Sequence, residues 1–405
     1  MKVVFVLVDA LKSLYLTEEN MPFLYSLSQK GYYIRQIIPC SGFCERSEIF
    51  SGLDGYDTGN FTAIGYLPEV SPYKDDGLML GVFNIIKMIS PRLYGRIFRH
   101  WRKVNNKAMN GYRIPPRSLK KFALTEDGEK KLISHNNIFQ SLDENGLSYS
   151  LDGFTSLADL KRRTEQTVED LVSNEISKRT DFIPVYIGET DSIGHQYGSD
   201  IEHIRPTLRS VDKKLNMIYE MSRKAGYAFC VMGDHGMVPV EKKVDILSVI
   251  TNTGCQLHKD YEAFYDSTMV RFWFYNEMAQ RKIQKSLNDK FSDFGFFVDQ
   301  SNCFKYRIPL DLVSEEGKPV YGDLVWCANP GVLVSPDYFH SSSESENGMH
   351  GYIDVVDGHG TGLFVAWYDG MTFFSKDKAH SSEICGELCK LLSIKHPNSN
   401  WKRII

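Results

Sequence analysis

The sequence predicts an α/β fold with a mostly parallel sheet and helices on both faces, and three observations carry that prediction. The run Val3–Val8 is apolar and β-branched with little alternation, the texture of a strand covered on both faces. Two later apolar runs, starting at Phe182 and Tyr227, each lead into an Asp and a His: Asp191 with His195, and Asp234 with His235. Segments of helical length, among them 157–179 and 201–225, alternate with these runs as they do in βαβ units. Strands that deliver Asp and His at their C-terminal ends suit a metal site at a sheet edge, with ligands of the type that Zn²⁺ or Mn²⁺ takes.

The elements follow in order. Val3–Val8 ends at Asp9, which reads as a helix N-cap when alone and as a further ligand beside the two Asp/His pairs. Met21–Lys30 has helical spacing, with Pro22 in its first turn and Gly31 as a stop. Tyr32–Ile38 is a second strand. After Pro39 comes a Ser/Gly/Cys turn and a helix that closes on Ser51-Gly52-Leu53. Such a turn can hold a nucleophile at a helix N-terminus, where free N–H groups favour phosphate; an ordinary capped helix is the plainer reading.

Residues 77–125 form a basic insertion: eleven Lys and Arg, with no Asp or Glu between Asp76 and Glu126. It reads as a lip for an anionic substrate, a membrane-surface helix, or a solvated basic face over a core. Residues 136–147 look helical, 149–153 form a short strand, and 157–179 and 201–225 are long helices. From 240 to 338 the texture changes to a small α+β cap. It has a strand at 267–275, a helix at 277–291, and short strands near Phe296, Cys303–Tyr306 and Leu324–Cys327. A last core strand, Gly362–Trp367, follows His350 and His359. The catalytic core is thus expected in 1–239 with 339–405, and the cap in 240–338.

Composition narrows the classes. A net charge of −4 over 405 residues argues against bulk nucleic-acid binding. The first strand starts directly after Met1-Lys2, which is not the layout of a signal peptide, and no apolar run reaches the length of a membrane span. The eight cysteines are scattered and read as reduced thiols, so the expected location is cytoplasmic.

Five patches resemble the alkaline phosphatase superfamily, especially its nucleotide pyrophosphatase/phosphodiesterase branch. They are Val-Leu-Val-Asp9; the turn and helix from Pro39 to Leu53; Asp191-Ser-Ile-Gly-His195-Gln-Tyr-Gly; Gly233-Asp234-His235-Gly-Met; and His350-Gly-Tyr. They occur in family order over nearly the whole chain. The resemblance implies an alkaline-phosphatase-like fold with two divalent ions, Zn or Mn. Asp191, His195 and His350 would hold one, and Asp9, Asp234 and His235 the other, with His359 the competing choice for the last histidine. Such pairs clamp attacking and leaving oxygens across ions about 3.5–4 Å apart.

The chain departs from the pattern at the nucleophile, because the aligned position is Gly42. The nearest hydroxyl, Ser41, is the chosen nucleophile, with Cys44 and Ser47 as alternatives. The Cys-x-Pro/Ala-x-Arg motif of arylsulfatases is absent. Arg46 and Asn60 are the expected substrate-binding residues. The expected function is a two-metal phosphoric ester hydrolase, a phosphodiesterase or nucleotide pyrophosphatase with a covalent serine intermediate. Its substrate would be a nucleotide, a phospho-sugar or a lipid head group. The alternatives are a phosphotransferase or phosphomonoesterase using the same site, and a catalytically silent metal-binding scaffold for an anionic partner.

Overall fold

The structure is a computed structural model that describes residues 1–107, 109, 111–125, 136–152, 166–340 and 346–399. Six strands form the central sheet: β1 (Val3–Val8), β2 (Tyr32–Ile38), β3 (Phe182–Ile187), β4 (Ala228–Gly233), β5 (Gly362–Trp367) and β6 (Phe374–His380). Their order is β6-β2-β5-β4-β1-β3. β5 alone runs antiparallel to its two neighbours, so the sheet is mixed but mostly parallel. Val8 stands opposite Ile187 on one side and Gly233 on the other. Three chains therefore leave the sheet at one edge, and the residues after them converge there.

The pleat sends alternate residues of β1 to opposite faces. Phe5 and Leu7 pack with Phe50, Phe139 and Ile384, on helices Glu45–Ser51, Ile138–Glu144 and Glu383–Leu392. Val4 and Val6 pack with Leu24, Val172 and Leu208, on helices Pro22–Ser28, Val168–Ser177 and Ile201–Lys224. The longest of these helices buries Ile204, Leu208, Val211, Leu215 and Ile218, a stripe at steps of three and four that faces the sheet.

Beyond the core, strands Gly295–Val298, Leu324–Ala328, Met269–Phe274 and Tyr261–Tyr265 form a four-stranded antiparallel sheet in that order. Helix Glu277–Phe291 packs on it through Ile283 and Leu287. The basic insertion consists mainly of helices Gly77–Ile89 and Pro91–Val104, followed by strand Phe122–Leu124, which pairs with Ile64–Tyr66. Its aromatic core, with Phe83 and Phe98, is continuous with Phe264 and Trp273 of the antiparallel sheet.

Several elements differ from expectation. Cys303–Tyr306 is a 3₁₀ turn and not a strand, because a four-residue run carries too little periodicity to separate the two. Asp191 and His195 are not on the end of a strand. They lie on helix Glu189–Tyr197, one turn beyond β3. Tyr261–Tyr265, Ile246–Thr251 and the edge strand β6 were not anticipated. Of the helix expected at 157–179, Val168–Ser177 is seen and 153–165 lie outside the described residues. Tyr149 makes a single bridge to Phe182, and Gly153 is outside the described set.

Candidate metal centre and active site

Two sets of three side chains meet at the edge where β1, β3 and β4 end. Asp191, His195 and His350 form one and Asp9, Asp234 and His235 the other, each offering ligand atoms within 4.8 Å of one another. Asp9 and Asp234 directly follow β1 and β4, whose shared register brings them side by side. Asp191 and His195 are four apart on their helix and so share a face. The loop after β4 turns sharply under His359, where a Cβ on Gly236 would stand 2.0 Å from the His359 carbonyl oxygen. His359 is in neither set.

Three distances within the sets are close to those of metal coordination, while Asp234 Oδ1 stands farther off, 3.9 Å from His235 Nε2. Asp191 Oδ1 lies 3.2 Å from His195 Nε2 and 3.5 Å from His350 Nε2, and Asp9 Oδ1 lies 3.1 Å from His235 Nε2. Ligand atoms about 2.0–2.1 Å from a tetrahedral zinc stand roughly 3.3 Å apart. The histidines are also oriented for the task. His195 Nδ1 faces the Gly348 carbonyl and His235 Nδ1 the Gly236 carbonyl, each at 2.9 Å, which leaves Nε2 as the lone-pair nitrogen aimed inward. Asp191 Oδ1 and His350 Nδ1 are buried without a well-directed hydrogen bond among the described residues. The His235 and His350 rings stack at 3.9 Å and join the two sets.

The charges of the site do not balance by themselves. Burial pushes the Asp234 carboxyl up to about 8, with His235 opposing and the Asp9 and Glu45 carboxylates adding to the rise. His235 is driven well above its ordinary value against the effect of burial, by Asp234 and Asp9. Burial, reinforced by His235 and His195, holds His350 well below its ordinary value, as the neutral imidazole that ligates. Tyr186 donates its hydroxyl to Asp9 Oδ2, and the Thr190 hydroxyl donates to the Asp9 carbonyl. Crowded carboxylates, inward-facing imidazoles and the unbonded, buried Asp191 Oδ1 all suit a pair of divalent cations.

A residue that the sequence reading passed over completes the centre. Glu45, the first residue of helix Glu45–Ser51, places its carboxylate with His235 and His350 in a third cluster. A small cavity of about 10 Å³ lies among Gly42, Glu45, His235 and His350, room for at most one water. The tight turn at Gly42, just before the helix, sets the direction of Glu45.

That turn also decides the neighbouring positions. Gly42 has φ +85°, and a Cβ there would stand 2.2 Å from the Phe61 carbonyl oxygen, so no side chain fits. The Ser41 hydroxyl donates to the Tyr306 carbonyl at 2.7 Å. Cys44 is buried. Ser47 is buried too, and its hydroxyl accepts from the Asn60 amide at 2.9 Å, so Asn60 braces the helix. Arg46 lies over the Tyr186 ring at 5.4 Å, beside the Asp9 set. From Asp191 an open cleft of about 790 Å³ runs past Tyr186, Ile193, Gln196 and Thr207.

Residues 96–353 match the family described as type I phosphodiesterase / nucleotide pyrophosphatase. The chain belongs to that family. Among curated proteins it is 22% identical over 315 residues to a calcium-transporting ATPase of Myroides odoratus, covering 68% of this chain and 55% of that protein. It is 30% identical over 122 residues to the venom phosphodiesterase CdcPDE of Crotalus durissus collilineatus, covering 29% of this chain and 13% of that one. The chain thus spans about half the length of the first relative and a small part of the second. Among solved structures, human ectonucleotide pyrophosphatase / phosphodiesterase 5 aligns with a TM-score of 0.69 at 16% identity, over 98% of this chain and 96% of that chain. An inactive form of the murine protein in complex with AMP aligns with a TM-score of 0.67 at 15% identity, over the same 98% and 96%. These likenesses give the phosphodiesterase-family chain its alkaline-phosphatase-like fold.

Proposed function

We propose that this member of the phosphodiesterase family is a two-metal phosphoric ester hydrolase that acts on phosphodiesters or pyrophosphates, with nucleotides as the substrate class. The observation that carries the proposal is the pair of ligand sets, joined through His235 and His350. Two divalent cations, Zn or Mn, would supply the positive charge that the developing phosphoryl oxygens need. Asp9, Asp234 and His235 would hold one, and Asp191, His195 and His350 the other. The open cleft beside Asp191 has room for the leaving group, and Arg46, over the Tyr186 ring, would pair with a substrate phosphate. AMP in the related murine structure supports a nucleotide.

The attacking group is the finer part of the proposal. A covalent Ser41 intermediate would require that hydroxyl to leave the Tyr306 carbonyl, and Gly42 offers no substitute. Attack by water from the space between His235, His350 and Glu45 needs no such rearrangement, and in this reading Glu45 accepts its proton. Ser41→Ala then keeps its rate within a few-fold; a large loss, with a phosphorylated serine trapped in the wild type, would restore the covalent route. The class itself is tested by loading the protein with Zn²⁺ or Mn²⁺ and comparing bis-p-nitrophenyl phosphate with p-nitrophenyl phosphate. Faster diester cleavage supports the proposal. A strong monoester preference, or product transferred to added alcohols in excess of hydrolysis, contradicts it. No cleavage of either ester favours the silent scaffold.

A further inference from the structure

Helix Gly77–Ile89 is apolar on two opposite faces. Leu80 and Phe83 point inward to the aromatic core of the insertion. Leu78, Val82, Ile85 and Ile89 recur at steps of four, three and four, and so form one straight stripe on the other side. That stripe is bare: Leu78 is 93% exposed, Val82 50%, Ile85 60% and Ile89 78%. The next helix, Pro91–Val104, divides its outer surface. Leu93 and Ile97 are exposed along one side, while Arg92, Arg96, Arg99 and Lys103 are exposed along the other. No acidic residue lies between Asp76 and Glu126 to neutralise them, and Arg92, Arg96 and Lys103 form no ion pair among the described residues. A solvated helix face would carry polar residues where this stripe carries aliphatic ones.

We propose that this helical pair docks on an anionic lipid surface, with the aliphatic stripe in the head-group layer and the arginine row against lipid phosphates. The charge complementarity commits the surface to anionic lipid rather than to a second copy of this chain, which would bring one basic row against another. No helix among the described residues is long and apolar enough to cross a membrane, so the pair lies on the bilayer and does not span it. None of its residues lines the cleft at Asp191, so docking and ester hydrolysis are separable.

Co-sedimentation with phosphatidylcholine vesicles, with and without phosphatidylglycerol, tests it on the full chain. Binding should require phosphatidylglycerol and weaken as salt rises. The triple change Arg92→Ala, Arg96→Ala and Lys103→Ala should weaken it about 100-fold, at roughly fivefold per charge. Val82→Glu with Ile85→Glu should abolish it. Both variants should melt at the wild-type temperature and keep their solution activity, because every altered side chain is exposed. Binding that is absent, or that survives both sets of changes, overturns the proposal. So does lipid-free self-association that Val82→Glu with Ile85→Glu abolishes, which would give the stripe to a second copy of the chain.

Discussion

In the antiparallel sheet, Arg271 is fully buried and its guanidinium is surrounded. It donates to Asp266 Oδ2 at 2.8 Å and to the Ile64 carbonyl at 2.6 Å, and it lies over the Phe264 ring at 4.6 Å. At the edge of the central sheet, Asp9, Asp234 and Glu45 crowd around one histidine, and Asp191 Oδ1 and His350 Nδ1 have no well-directed hydrogen bond among the described residues. Both regions bury charge at a desolvation cost. The first closes its charges with protein partners, so its product is a fixed strand pair. The second gathers Asp191 Oδ1 and the Nε2 atoms of His195 and His235 within ligand distance of their neighbours, with no closed set of protein partners around them among the described residues. Open valences in a rigid frame mark a site for something the chain binds.

The largest effect should come from closing the open cluster. Asp234→Asn is expected to lower ester hydrolysis by at least about 10³-fold. The same change removes a buried carboxylate whose pKa burial has pushed up to about 8, so the metal-free protein should melt higher at neutral pH than metal-free wild type. A variant that loses activity and also melts lower would mean that Asp234 is structural, like Asp266. Opening the closed cluster should do the reverse. Arg271→Ala leaves Asp266 buried and unpaired and should cost about 3–5 kcal/mol in denaturant unfolding, while the metal content of the folded protein stays unchanged.

Glu45→Gln separates two roles in the open cluster. A proton acceptor predicts a fall in kcat of about 10²-fold with the metal content intact; a loss of one ion would make Glu45 a ligand instead. The smallest effect concerns Glu48, on the same helix but buried away from the ligand sets. It accepts from the Gly55 N–H at 2.9 Å and from the Ser381 hydroxyl. Burial raises its carboxyl from 4.5 to about 8, so between those values the folded chain holds a proton that the unfolded chain releases. That contribution to stability is whole at low pH and falls as pH rises toward 8. Glu48→Gln should flatten the decline of Tm with pH over this window by a few degrees; an unchanged slope would show that Glu48 is not its source.

The same contrast explains what could be read from the sequence. Val3–Val8, Phe182–Ile187 and Ala228–Gly233 are continuous apolar runs, and Asp9, Asp191, His195, Asp234 and His235 stand out after them, whereas His350 and the grouping into two sets rest on the family resemblance. Asp191 and His195 were placed on the wrong element because helix Glu189–Tyr197 follows β3 after a single glycine. Glu45 was invisible because its direction depends on the left-handed turn at Gly42, which no local pattern encodes. Strand β6, with the sequence Phe-Ser-Lys-Asp-Lys-Ala-His, is a mostly polar edge strand held in place by pairing with β2, so its residues carry no apolar signal. Arg271 has the opposite problem. In a strand it reads as an outward-facing residue until Asp266, five positions earlier, is folded against it.

The central claim is that the open cluster binds two divalent cations, and metal counting tests it most directly. The protein should be saturated with Mn²⁺ or Zn²⁺, freed of excess ion and measured by plasma mass spectrometry beside Asp191→Asn and Asp234→Asn. The account predicts two ions per wild-type chain and at most one in each variant, with a higher Tm for the loaded wild type than for the stripped protein. Fewer than two ions in the wild type, or two retained in both variants, would contradict it.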